Sequence, residues 1–140
     1  MSWFDASFRL KSGNLSQIYE KLLESGGVFV YHKTPHSTYA ATDPQMYDYI
    51  PTNPDSLKKV HMYAAGTPII FRTRKIYENV FRWWLYCGLT PNCTTPPNTT
   101  RTCPRNYIDD YHSPRCHRQD QSSLNTLLGN EYRFNDSRYT

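Results

Sequence analysis

Apolar and polar residues alternate along residues 2–10, SWFDASFRL, the period-two pattern of a strand end running into a turn. Residues 14–25, NLSQIYEKLLES, change to a helical period, with Ile18, Leu22 and Leu23 on one side and Gly26-Gly27 as a stop. GVFVYHK, residues 27–33, is a short apolar run rich in β-branched and aromatic residues and predicts a strand. TDPQMYDYI, residues 42–50, predicts a short helix capped by Thr42 or Asp43 with Pro44 in its first turn, and NPDSLKKVHMYAA, residues 53–65, a second one. GTPIIFRT, residues 66–73, predicts another strand. The strongest helical pattern is TRKIYENVFRWWLYCGL, residues 73–89. There Ile76, Tyr77, Val80, Phe81, Trp84 and Leu85 form a continuous stripe, Thr73 stands at the N-cap, and Glu78 and Arg82 are spaced to pair on the outer side.

The pattern then breaks. Residues 90–114 hold five prolines and many threonines without periodicity, which predicts a long loop of the kind that is stapled, functional or both. A last helix is expected over residues 119–128, burying Leu124, Leu127 and Leu128 and ended by Gly129, with residues 130–140 as a tail or a broken-off strand. Strands alternating with helices indicate an α/β layer, although three short strands are few for a complete one.

Composition narrows the function classes. Twelve Tyr and three Trp argue against disorder, and a net charge of +4 without basic runs argues against nucleic acid as a partner. Met1 is followed at once by SWFD, so no signal peptide is expected, and no apolar stretch approaches the roughly 20 residues of a membrane span.

Four cysteines bracket the proline-rich loop: Cys87, Cys93, Cys103 and Cys116. An even number around a weakly apolar segment points to two disulfides and a secretory-pathway protein. Zinc would need paired short spacings, whereas the gaps are five, nine and twelve residues; zinc and free thiols remain the alternatives. Proximity along the chain favours Cys87–Cys93 and Cys103–Cys116 among the possible pairings. N-glycosylation sequons at Asn14, Asn92, Asn98 and Asn135 point to the same lumenal setting.

Several residues could carry chemistry. Asp5, at the end of an apolar strand, would project into the crevice where open α/β sheets bind ligands, as a hard oxygen ligand for Mg²⁺ or Mn²⁺; the plainer alternative is a turn cap. Residues 116–125, CHRQDQSSLN, crowd hydrogen-bonding side chains into the start of an apolar helix. His117 and Asp120 there would sit beside the positive end of the helix dipole, Asp120 stabilised as the anion and His117 leaning to its neutral, metal-ligating form, and Arg118 could hold a phosphate; a capping arrangement with a solvated His is the alternative. The tyrosines of residues 39–49 are read as packing before a sugar-stacking ledge, and His32 and His36 as loop residues. Gly66 would let backbone approach a ligand or another strand, or simply serve a turn. No Ser-His-Asp order, P-loop, G-x-G-x-x-G or H-E-x-x-H occurs.

In order, WFDASFRL, YAATDPQMYDYIPT, AAGTPIIFRT, WWLYCGLTPNC with a following Pro, and CHRQDQSSLNTLL resemble an uncharacterised family of animal proteins that look like Golgi glycosyltransferases of the nucleotide-sugar GT-A type. The resemblance spans about residues 3–128. It implies an incomplete GT-A-like (nucleotide-diphospho-sugar transferase) layer over residues 1–129, with a stapled loop at 90–116. In that type an Asp-x-Asp motif holds a divalent metal (Mn or Mg) with the donor diphosphate. Asp5 matches its first acid, and Ser7 stands where the second would be, a poorer ligand. A late His or Asp segment that closes over the diphosphate matches His117 and Asp120, with Arg118 assisting. Gly66 and Thr67 become neighbours of the donor sugar. The implied partners are a nucleotide-sugar donor and a glycan or protein acceptor. A nucleotide-binding half would precede Asp-x-Asp, and a membrane anchor would lie there too, so the chain is expected to be a C-terminal portion, a fragment or degenerate copy that is inactive in isolation. The alternative is a secreted, disulfide-stabilised interaction module without catalysis.

Overall fold

A computed structural model describes residues 13–103 and 116–140. Helix α1 (Ser16–Glu24) leads into strand β1 (Val28–Phe29), which pairs antiparallel with β4 (Ile69–Ile70). A second antiparallel pair joins β2 (Lys33–Ser37) to β3 (His61–Tyr63), with a bulge between Lys33 and Ser37. The class is therefore mixed α/β with short strands. Leu22 is buried in α1, whereas Leu23, expected beside it, is 74% exposed. At i and i+1 the two side chains diverge by about 100°, so one face cannot hold both.

The turn at Gly26-Gly27 requires glycine. Gly27 has φ +125°, donates its N–H to Ser25 Oγ at 3.4 Å, and accepts from Phe71 N at 2.7 Å; a Cβ there would lie 3.1 Å from Phe71 O. Gly27→Ala is expected to cost about 1–3 kcal/mol through left-handed strain and this close approach, read as a lower urea midpoint.

Asp43, not Thr42, caps the next element, a 3₁₀ helix Pro44–Asp48, by accepting from Gln45 N. Helix α2 (Pro54–Leu57) is a single turn capped by Asn53 Oδ1. Its expected continuation through residue 65 is β3 instead. The pairing with β2 claims those residues, and it also turns the expected loop residue His36 into a buried strand residue.

Thr73 caps a nearly continuous helix made of α3 (Arg74–Ile76), a π-helical turn (Tyr77–Phe81) and α4 (Arg82–Leu89). The extra residue of a π turn shifts the phase of all that follows. Ile76 and Val80 stay buried, while Leu85, predicted in the same stripe, is 54% exposed. Glu78 pairs backward with Arg74 at 2.8 Å, not forward with Arg82, whose guanidinium lies over Trp83. The one-turn helix α5 (Pro91–Thr94) follows, and Cys87–Cys93 and Cys103–Cys116 are disulfides, each with Cα atoms 5.2 Å apart.

Helix α6 (Asp120–Glu131) is the centre of the fold and runs past Gly129, where a stop was expected. Every residue from Gln121 to Gly129 is buried. Residues 130–140, expected as a tail, are integral. Tyr132 and Tyr139 are 3% and 1% exposed, Tyr132 Oη donates to Ser25 O at 2.9 Å, and Val30 N donates to Tyr139 O at 2.9 Å. Asp136 Oδ2 accepts from His61 N and meets His61 Nδ1 at 2.9 Å, tying this segment to β3. The tail expectation failed because its apolar content is only Tyr132, Phe134 and Tyr139, an uneven spacing that matches no regular element.

Candidate functional site

The polar start of α6 does two different things. Most of it is spent on the interior. Ser122 Oγ donates to Ala41 O at 2.7 Å and accepts from Arg118 N at 2.9 Å, fixing the turn before Asp43. Asn125 Oδ1 accepts from Tyr63 N at 2.8 Å, and its Nδ2 donates to Tyr63 O and Gln121 O, so one amide completes the backbone of β3.

His117 belongs to the same group. It is 1% exposed; Asp43 N donates to its Nδ1 at 3.2 Å, which leaves Nε2 to carry the proton and donate to Thr94 O at 3.1 Å. Burial pulls its pKa down to about 4 against smaller opposing effects of Asp43 and Thr94. The imidazole is neutral and both nitrogens are engaged, so it does not fit the ligand role expected for a metal. Among the described residues no group of three His, Cys, Asp or Glu side chains gathers.

Asp120 is different. It opens α6 at the mouth of a groove of about 420 Å³, whose walls include Pro68, Ile70, Ile76, Tyr77, Phe81, Trp84, Leu85 and Leu89, with Arg72 as its other charged residue. Trp84 Nε1 donates to Asp120 O at 2.9 Å, fixing the indole against the helix start. The surrounding protein mass raises the Asp120 pKa; the N–H groups of Gln121 and Asp120 and the charge of Arg118 oppose this only in part. Gln119, immediately before Asp120, holds φ +52°, a strained conformation for a side-chain-bearing residue and of the kind that collects at functional positions.

The buried polar atoms without a partner among the described residues include Gln121 Nε2, in a residue 6% exposed, and Thr67 Oγ1, in a residue 1% exposed that precedes the groove residue Pro68. Arg118 Nε donates to Gln121 Oε1 at 3.2 Å, and the Arg118 charge together with burial, the larger cause, lowers the pKa of His36. The structure thus brings Asp120, Arg118 and Gln121 together at one helix start, with Thr67 near the same groove. The sequence spaces Gln121 four residues before Asn125, on one helical face, but gives it no ligand role; a Gln following Asp at a helix start is too common to stand out. Gly66 is half-buried beside Thr67. Asp5 and Ser7 lie outside the described residues.

The four sequon asparagines, Asn14, Asn92, Asn98 and Asn135, are all exposed. No helix among the described residues is long and apolar enough to cross a membrane. The two disulfides point to an oxidising compartment. The chain matches no protein-family model, no curated protein and no solved structure.

Proposed function

We propose that the chain is the acceptor-side portion of a GT-A-like glycosyltransferase of the secretory pathway, moving a sugar from a nucleotide-diphosphate donor to a glycan or protein hydroxyl. The observation that carries this reading is the placement of Asp120, a carboxyl of raised pKa sharing a groove with Tyr77, Phe81 and Trp84. Aromatic faces complement the C–H patches of a sugar ring, and a carboxylate accepts hydrogen bonds from its hydroxyls. A raised pKa also suits Asp120 to accept a proton from an attacking hydroxyl. Thr67 Oγ1 and Gln121 Nε2 supply further polar partners that the fold leaves unspent. Asp5 would meet the donor diphosphate, with Ser7 beside it, and Arg118 would add positive charge. The Golgi lumen is the proposed location, and His117 has no ligand role.

Asp120→Asn keeps an acceptor oxygen at the helix start but cannot take up a proton. It is expected to lower transfer by about 100-fold or more while leaving the unfolding midpoint nearly unchanged. The assay incubates the complete protein, including the nucleotide-binding half that the resemblance places upstream, with a panel of labelled nucleotide sugars and Mn²⁺ or Mg²⁺, and follows both binding and transfer. Failure of every donor to bind overturns the reading.

A second reading, a secreted interaction module without catalysis, draws support from the outer face of α4, where Trp83, Tyr86 and Leu89 are 44%, 58% and 72% exposed. It expects Asp120→Asn to change nothing.

A further inference from the structure

The sequon at Asn92 differs from those at Asn14 and Asn135 in where its hydroxyl points. Ser16 Oγ donates to Asn14 Oδ1 at 2.5 Å, and Ser137 Oγ donates to Asn135 Oδ1 at 2.7 Å, so in these two sequons the hydroxyl faces its own asparagine. At Asn92-Cys93-Thr94 the hydroxyl turns inward: Thr94 Oγ1 donates to Cys87 O. The middle residue, Cys93, is 0% exposed and bonded to Cys87. Thr94 is held twice more, its N donating to Thr90 O at 3.1 Å and its O accepting from His117 Nε2 at 3.1 Å. All three sequon residues lie in α5. The Asn92 side chain is exposed, but the hydroxyl that must cooperate with it is part of the disulfide-closed turn.

We infer that Asn92 is an N-glycan acceptor gated by the Cys87–Cys93 disulfide: it accepts a glycan only while those thiols are unpaired, and closure of the disulfide ends its competence. In the transfer, Asn92 Nδ2 forms a C–N bond to the anomeric carbon of a lipid-diphosphate-linked oligosaccharide. The anomeric C–O bond breaks, the lipid diphosphate leaves with the electron pair, and the amide loses one proton. The order is one-way. A glycan on the exposed Asn92 leaves room for the disulfide to close afterward, whereas a closed disulfide removes the hydroxyl from reach. Oxidation of the chain therefore sets how many glycans it carries, independently of any catalytic role.

The test is translation of the full chain behind a cleavable signal peptide into microsomes, with and without dithiothreitol, followed by glycopeptide mass measurement at each sequon. Dithiothreitol is expected to raise occupancy at Asn92 severalfold while Asn14 and Asn135 stay constant. Cys87→Ser, which leaves the Asn-Cys-Thr sequence intact, is expected to reproduce that rise without reductant. Equal occupancy of Asn92 in all three conditions, whether high or absent, overturns the inference. So does a rise that Asn14 and Asn135 share in proportion.

Discussion

Asn125→Ala is expected to destabilise the protein by roughly 3–5 kcal/mol, because it orphans two backbone groups at once, each costing about 1–3 kcal/mol when buried and unpaired. The side chain is 0% exposed and satisfies both N–H and C=O of Tyr63. A domain of this size has about 5–15 kcal/mol in all, so the loss should be visible as a large drop in the urea midpoint with little change in slope. Asn125→Asp sharpens the test. A carboxylate keeps the acceptor for Tyr63 N but offers Tyr63 O no donor, so the variant should be nearly as damaged at neutral pH. It should recover part of the loss in mild acid, where a protonated carboxyl can donate. Equal effects of Ala and Asp at every pH would show that the amide's donor side contributes nothing.

The second large effect is acid sensitivity through His117. Its folded pKa of about 4 lies below the usual value of 6.5, so the native state binds this proton less readily than the unfolded chain. Stability from this group is fully present above about pH 6.5 and falls as pH drops toward 4, by up to about 1.4 kcal/mol per pH unit and roughly 3 kcal/mol in total. Protonation would also place a donor on Nδ1 opposite the Asp43 N–H, and two donors cannot pair. The check is urea unfolding between pH 7.5 and 4 for the native chain and for His117→Gln. The variant should be less stable at pH 7.5 and should have a flatter profile over this range. Parallel profiles would remove His117 as the source.

Much of the architecture was legible in the sequence where local chemistry decides it. The stop at Gly26-Gly27, the caps at Asp43 and Thr73 and both disulfide pairings follow from residue types and their spacing. What escaped was decided by distant segments. β2 contains a proline and a histidine, and β3 is a three-residue piece of what reads as helix; each exists through its partner. The π turn shifts Leu85 outward by a phase that no periodicity count anticipates.

The candidate site divides in the same way. A run of polar residues at a helix start reads as the lining of a crevice, and Asp120 does open onto a groove. His117, Ser122 and Asn125 instead bond backbone 74, 81 and 62 residues away. Polarity at a helix start identifies hydrogen-bonding work; it does not say whether the partner is a ligand or the protein's own main chain.

That wiring of α6 has a consequence for how the molecule is made. A 12-residue helix rich in Ser, Asn and Thr is too short and too weak to form alone. Its partners lie far upstream, and each such closure must be reached before it rewards the chain, which is the signature of slow folding. On the ribosome the earlier strands and the Cys87–Cys93 pair emerge before the helix that completes them. The tyrosine amide groups of β3, the Ala41 carbonyl and the Thr94 carbonyl stay in water until α6 arrives. The segments before α6 assemble around it only when it arrives, so until then they stay exposed to oxidants, modifying enzymes and chaperones.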